Sequence, residues 1–243
     1  MGKEVIVVEN PKSPEAEMFR NLRTNIQFMN ADSEKKVMVV TSTIPGEGKS
    51  YVSANLAAAF AQLDKKVLII DTDMRKGRQY TIFNLRPKPG ISNFLSGVVD
   101  EDFVGEKDNI RNYIQETDIE NLYLIPAGNV PPNPSELLVS AKMKAIINDL
   151  VQTFDVIIFD VPPCLIVTDA LILARLVDFT IIVSAQNTTK LENLKRAKLA
   201  IENVGGKVAG VILNKVQVNA KSYENSYYYG EKISNIKPPK QRR

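Results

Sequence analysis

Gly46, Gly48, Lys49 and Ser50 fall within the run Thr43-Ile44-Pro45-Gly46-Glu47-Gly48-Lys49-Ser50, a set of residue types suited to holding phosphate. Backbone N–H groups of such a loop wrap a polyphosphate, the lysine reaches its β and γ oxygens, and the serine hydroxyl can hold Mg²⁺. The expected cradle for ATP comprises Thr43, Pro45, Gly46, Glu47, Gly48, Lys49, Ser50 and Tyr51. Thr43 stands where the usual pattern has its first glycine, so neighbouring features must carry the case. Two are present. Asp71 and Asp73 leave the apolar run Val67-Leu68-Ile69-Ile70 with Arg75 beside them, and Asp160 ends Val156-Ile157-Ile158-Phe159. A lone Asp after an apolar strand is usually only its terminator, but two such ends joined to a Gly-Lys-Ser loop point to Mg–nucleotide chemistry. Mg²⁺ takes few protein oxygens plus phosphates and water, which fits Ser50, Asp71, Asp73 and Asp160.

The base is read from Asn214-Lys215-Val216-Gln217. Guanine readers end such a strand in Asn-Lys-x-Asp, whose carboxylate accepts both guanine N–H groups. Gln217 occupies that acid's place, so adenine is favoured. Asn214 is then either a base contact or simply the turn residue that ends a strand.

These groups all need strand ends to present them. Apolar, Val/Ile-rich runs at 37–42, 67–70, 122–125, 156–160, 179–184 and 208–213 predict strands buried on both faces, the mark of a parallel sheet between helices. Helical stretches at 49–63, 135–152, 169–176 and 188–204 alternate with them. Asn133-Pro134-Ser135-Glu136 predicts a capping box at the second. Ser13-Pro14 opens a further amphipathic helix over about 14–29, with Phe19, Leu22, Ile26 and Met29 on one side. The expected fold is a doubly wound α/β domain over 1–216, mostly parallel, with helices on both faces, and ligands beyond the strands' carboxyl ends. Residues 72–120, polar and weakly helical, read as an insertion or regulatory lobe.

Composition narrows the chemistry. The 243 residues include no histidine, one cysteine (Cys164) and 44% hydrophobic side chains. Histidine triads, His-ligated zinc and histidine bases are excluded, so proton transfer falls to Asp, Glu, Lys or Tyr. A single cysteine fits a reducing cytoplasm, and no apolar run reaches membrane-spanning length. Residues 217–243 lack apolar periodicity and read as a flexible tail. Its last stretch holds Lys232, Lys237, Lys240, Arg242 and Arg243 against Glu231, more than the whole chain's net +3. The basic tail is read as solvated, with no nucleic-acid partner expected. Tyr223, Tyr227, Tyr228 and Tyr229 crowd into the same tail, either as accessible phosphate acceptors or as an aromatic contact surface.

The chain resembles the bacterial tyrosine kinases, P-loop enzymes with Walker A and B motifs, in the cytoplasmic form typical of Gram-positive capsule and exopolysaccharide synthesis. Glu17-Met18-Phe19-Arg20-Asn21-Leu22-Arg23, Pro45-Gly46-Glu47-Gly48-Lys49-Ser50, Asp71-Thr72-Asp73-Met74-Arg75, Asp160-Val161-Pro162-Pro163 and the terminal tyrosines occur in that family's order. The resemblance implies that Lys49 and Ser50 are the Walker A pair, Asp71 and Asp73 the acids of a second Walker-like motif, and Asp160 the Walker B acid. It also implies that Glu17, Arg20 and Arg23 join neighbouring subunits into a ring and that one subunit's tyrosines enter the next subunit's site in trans. A separate membrane protein with a cytoplasmic tail would activate the kinase and recruit it to the inner face of the plasma membrane. Other proteins would be phosphorylated on tyrosine as well. Read alone, Glu17, Arg20 and Arg23 sit on the polar side of a helix, where i,i+3 pairing in solvent is the usual explanation.

Tyr51, in place of a smaller residue, is expected to crowd the α-phosphate side, and Gly77 stands where the family often has proline. Asp71 is the expected base for the tyrosine proton. Two other readings compete. A positioning ATPase of the cell-division and plasmid-segregation type needs a lysine early in the loop, where this chain has Ile44. A non-catalytic scaffold would use the tyrosines for contact alone.

Overall fold

The computed structural model describes residues 4–29, 36–101 and 103–217. Tyr223, Tyr227, Tyr228, Tyr229 and the basic tail lie outside the described residues.

The strands are β1 (Lys36–Ser42), β2 (Val67–Asp71), β3 (Gln115–Glu116), β4 (Leu122–Ile125), β5 (Val156–Asp160), β6 (Phe179–Ala185) and β7 (Val208–Asn214). They form one sheet in the order β3-β4-β2-β5-β1-β6-β7. Every pairing is parallel except that of β3 with β4. Every residue of β1, β2, β5 and β6 is buried. Continuous apolar sequence is what two covered faces require, since successive side chains point to opposite sides. Val37, Val39, Leu68, Ile70, Ile157 and Phe159 enter one core, whereas Met38, Val40, Val67, Ile69, Val156 and Ile158 enter the other.

The helices are α1 (Ile6–Glu9), α2 (Pro14–Met29), α3 (Lys49–Ala61), α4 (Gln79–Ile82), α5 (Ile91–Ser96), α6 (Pro134–Val139), α7 (Ala141–Leu150), α8 (Asp169–Ala174) and α9 (Leu191–Asn203). Helices α1 to α4 pack into the second core, and α5 to α9 into the first. Ser13 caps α2, its Oγ accepting from Ala16 N at 3.1 Å. Helix α3 is buried nearly all round, between the sheet and α1 and α2, which explains its alanine-rich sequence. Asn55 of α3 pins the amino-terminal segment by accepting from Val7 N (3.2 Å) and donating to Glu4 O (2.8 Å).

Four expectations need correction. The run 208–213 is a strand but not one buried on both faces, since β7 forms the sheet's edge and none of its residues is buried. Residues 72–120 are not a separate lobe. Met74, Ile91, Phe94, Leu95, Ile110 and Tyr113 belong to one core, and Ile82 and Phe83 to the other. The helix expected over 135–152 is two helices, because Ser140 adopts an extended conformation (φ −60°, ψ 150°) and caps α7 through Met143 N. The capping box at Asn133 does not form. Its Nδ2 instead donates to Glu136 Oε2 at 3.2 Å, and no side chain caps α6.

Candidate active site

The sheet order explains how distant motifs meet. β5 lies between β2 and β1, so the loop after β1 and the acids ending β2 and β5 share one sheet edge. Asp71 and Asp160 are direct register partners, and Val40 is paired with Asp160 on the other side. Strand-end backbone bonds lock the set, with Thr72 N donating to Asp160 O (2.9 Å) and Val161 N to Val40 O (3.0 Å).

The loop feeds directly into α3, whose first residue is Lys49 and whose N-cap is Gly48 at φ 93°. That left-handed backbone suits glycine. A Cβ there would also lie 2.1 Å from Asn214 Nδ2. Loop amides and the amino terminus of a thirteen-residue helix together form an anion cradle. Glu47 is used differently from its neighbours. Its buried carboxylate faces inward and accepts from Thr43 N (2.6 Å), Ile44 N (3.0 Å), Thr43 Oγ1 (3.0 Å) and the Thr189 hydroxyl. It therefore braces the loop, taking up the amides of Thr43, which replaces the usual glycine, and of Ile44. Asn214 at the end of β7 donates Nδ2 to Glu47 O at 2.9 Å, so it touches the loop backbone.

Lys49 lies among the acids. Its Nζ is 3.0 Å from Asp73 Oδ2, 3.5 Å from Asp160 Oδ1 and 3.3 Å from Ser50 Oγ. Burial disfavours the charged ammonium, but Asp160, Asp73 and Asp71 outweigh it and raise the lysine above its ordinary value. Lys49 is thus a fixed positive charge at any physiological pH.

The three carboxylates differ in surroundings. Asp71 is completely buried. Its Oδ1 accepts from Asp73 N (3.1 Å), and its Oδ2 from Arg78 N (2.8 Å) and Gln79 N (3.0 Å). Desolvation first, and the Asp160 charge second, push its carboxyl up to about 7. Asp73 lines the cleft, its Oδ1 accepting from Lys76 N at 3.0 Å. Asp160 accepts from Gln79 Nε2 at 2.8 Å on Oδ2, while its buried Oδ1 has no hydrogen-bond partner.

That orphaned oxygen is what a Mg²⁺ site needs. Among the described residues no three His, Cys, Asp or Glu side chains form a metal cage by themselves. Mg²⁺ asks for no such cage, since phosphate and water oxygens complete its shell. The donor set fits the ion.

A cleft of about 1030 Å³ opens over the loop, walled by α2 on one side and by the end of β7 on the other. Pro45, Gly46, Gly48, Lys49, Ser50, Tyr51, Asp73 and Asn214 all line it. Tyr51 leans its ring on Phe19 of α2, edge to face at 5.8 Å, and burial raises its hydroxyl pKa. Gly77 suits its neighbours, since a Cβ there would meet Ala127 Cβ at 2.6 Å.

Glu17, Arg20 and Arg23 sit on α2 away from this cluster. Arg20 pairs with Glu17 Oε2 at 2.9 Å and donates to Pro11 O at 2.7 Å. Arg23 turns inward, donating to Ala59 O of α3 at 3.0 Å, and partial burial, then Arg20, lower its pKa.

Sequence reasoning missed two groups. Gln79 bridges Ser50 O and Asp160. Asp169, fully buried, holds Arg75 at the cleft wall (2.5 Å) while accepting from Ser135 Oγ. Neither lies in a recognisable motif, and only contact reveals them.

Known proteins resemble this chain over most of its length. A family model described as an AAA domain matches residues 35–210. CapB of Staphylococcus aureus is 42% identical over 226 residues, 93% of this chain and 94% of that protein. The tyrosine-protein kinase YwqD of Bacillus subtilis is 37% identical over 96% of this chain and 93% of its own length. The crystal structure of the chimerical protein CapA2B2 superposes with a TM-score of 0.81 at 37% identity, covering 90% of this chain and 92% of that one. The septum site-determining protein MinD from Pyrococcus horikoshii, complexed with Mg-ADP, matches at TM-score 0.61 and 20% identity, covering 79% of this chain and 76% of that one. At that identity the likeness extends to the fold alone.

Proposed function

The chain belongs to the bacterial tyrosine-protein kinase family, and on that premise we propose that it transfers the γ-phosphoryl group of ATP to tyrosine, first to its own Tyr223, Tyr227, Tyr228 and Tyr229. The observation that carries this reading is Lys49, at the mouth of the anion cradle between Asp73 and Asp160.

In the transfer, a tyrosine oxygen attacks the γ-phosphorus while the bond to the β–γ bridging oxygen breaks, and the tyrosine proton passes to a carboxylate. Positioning and charge neutralisation supply most of such catalysis. Lys49 and the loop amides meet the phosphate charge. Mg²⁺, when bound, would supply further neutralisation of the phosphate charge. Ser50, Asp73 and Asp160 would hold it, with Asp71 fixing the turn that carries Asp73.

A tyrosine hydroxyl ionises near pH 10 and needs a proton acceptor. Asp71 is the acceptor expected from sequence, yet both its oxygens accept backbone N–H bonds behind the cleft wall. Asp73 lines the cleft itself, but its Oδ1 accepts from Lys76 N and its Oδ2 lies 3.0 Å from Lys49 Nζ, so it differs from Asp71 in facing the cleft and not in having a free oxygen. Asn214 is offered as the adenine contact, although its Nδ2 donates to Glu47 O of the loop itself.

The rest of the reading rests on kinship. It includes assembly through Glu17, Arg20 and Arg23, a membrane-bound activator, recruitment to the inner face of the membrane, further tyrosine substrates, and control of capsule or exopolysaccharide synthesis and export. Among the described residues no helix is long and apolar enough to cross a membrane. The positioning-ATPase alternative lacks its loop lysine, since Ile44 occupies that place.

The test is incubation of purified protein with radiolabelled ATP, followed by mass mapping of residues 223–229. Label on tyrosine that disappears in a folded Lys49→Met variant is expected. No tyrosine label, even with an activator peptide present, would sink the reading.

A further inference from the structure

Gln79, the first residue of α4, is fully buried and touches all three site motifs at once. Its backbone N–H donates to Asp71 Oδ2 at 3.0 Å, and its side-chain Nε2 donates to Ser50 O at 3.1 Å and Asp160 Oδ2 at 2.8 Å. Both side-chain partners are oxygens that can only accept, which fixes the amide with its NH₂ toward them. Asp160 is consequently tethered through one oxygen and leaves the other, Oδ1, buried without a hydrogen-bond partner beside Lys49. Ser50, whose hydroxyl lines the cleft, is held from behind through its carbonyl.

We propose that Gln79 is a positioning residue for the Mg²⁺–nucleotide complex, holding Asp160 by Oδ2 so that Oδ1 is reserved for the metal or its water. This deepens the ATP-dependent reading above and rests on it. A side chain that only pegs α4 to the sheet would affect nucleotide with and without metal alike. One that orients a metal-facing carboxylate would affect the metal-loaded complex selectively, as partners of metal ligands do.

Calorimetric titration of ADP, once with Mg²⁺ and once with EDTA, separates these roles in the full chain and in Gln79→Met, which keeps the volume and removes the donors. Mg²⁺–ADP should bind about 10- to 100-fold more weakly to the variant, and ADP in EDTA within about twofold of wild type. In an Asp160→Asn background the same change should add no further metal-specific loss, since coupled residues are not additive. Equal losses with and without Mg²⁺, or no loss with it, overturn the proposal. If Gln79→Met does not fold, Gln79→Leu, which also removes the side-chain donors without adding a charge, decides by the same comparison. A wild-type chain whose ADP affinity is indifferent to Mg²⁺ would instead defeat the Mg–nucleotide reading, and this inference with it.

Discussion

Individual residues here owe their chemistry to burial. Cys164 follows Pro162-Pro163, and its N–H donates to Ser42 O at 2.9 Å. Desolvation, with a smaller push from the Glu47 charge, raises its thiol to about 11. The thiolate is the reactive form, and an ordinary thiol ionises near pH 8.5. At pH 8 the folded protein should therefore carry roughly 200-fold less thiolate than an unfolded chain. Because the folded value is the higher one, the native labelling rate should climb about tenfold per pH unit from 7 to 10, where an exposed thiol would already level off. Iodoacetamide labelling followed by mass spectrometry checks this, with the rate in urea as the reference. Rapid native labelling at pH 7 would contradict it. Asp71 shows the same principle in a carboxylate, since desolvation beside Asp160 lifts it to about 7. Sequence spacing could place Asp71 near the phosphate loop but could not show that backbone amides already occupy both its oxygens.

At the level of elements, legibility followed hydrophobic continuity. The six strands expected from apolar runs are all present, but only β1, β2, β5 and β6 are buried throughout, whereas β7 is an edge strand whose Val211 and Leu213 are more than half exposed. The two residues of β3 and the four of α4 are too short to show a period, so only tertiary packing defines them. Ser140 is an N-cap in mid-run, and it reads as an ordinary helix residue until its extended backbone is seen. The site's acids were legible as strand ends, while Gln79 and Asp169 act through contacts from segments remote in sequence. Glu47 was expected among the cradle residues, but its side chain links elements instead, joining the loop after β1 to Thr189 in the turn between β6 and α9. Glu47→Ala would strand the buried Thr43 amide and the partly buried Ile44 amide, at a cost of about 2–4 kcal/mol. A lower urea midpoint and weaker ADP binding should follow. Thr189→Val should destabilise less, and the two changes together should cost less than their sum. Strict additivity would show that the link between the two turns carries no energy.

For the whole molecule, the proposed transfer turns on which chain supplies the tyrosine. Lys215 and Val216 line it, and Tyr223 follows Gln217 by six residues, a reach of roughly 20 Å if extended. Reach alone therefore admits a tyrosine of the same chain, and transfer between chains must be argued otherwise. In-line attack demands a hydroxyl within about 3–3.5 Å of the γ-phosphorus and aligned with the bond that breaks. The family resemblance, and not reach, is the ground for proposing transfer between chains, which is accordingly expected. Mixing a chain truncated after Gln217, which keeps the site, with full-length Lys49→Met, which keeps the tyrosines, should place label on the inactive full-length chain. The rate per molecule for wild type should rise with protein concentration. Neither partner should incorporate label on tyrosine alone. A mixture that stays unlabelled, beside wild type whose specific rate is constant on dilution, would assign the reaction to each chain's own tail.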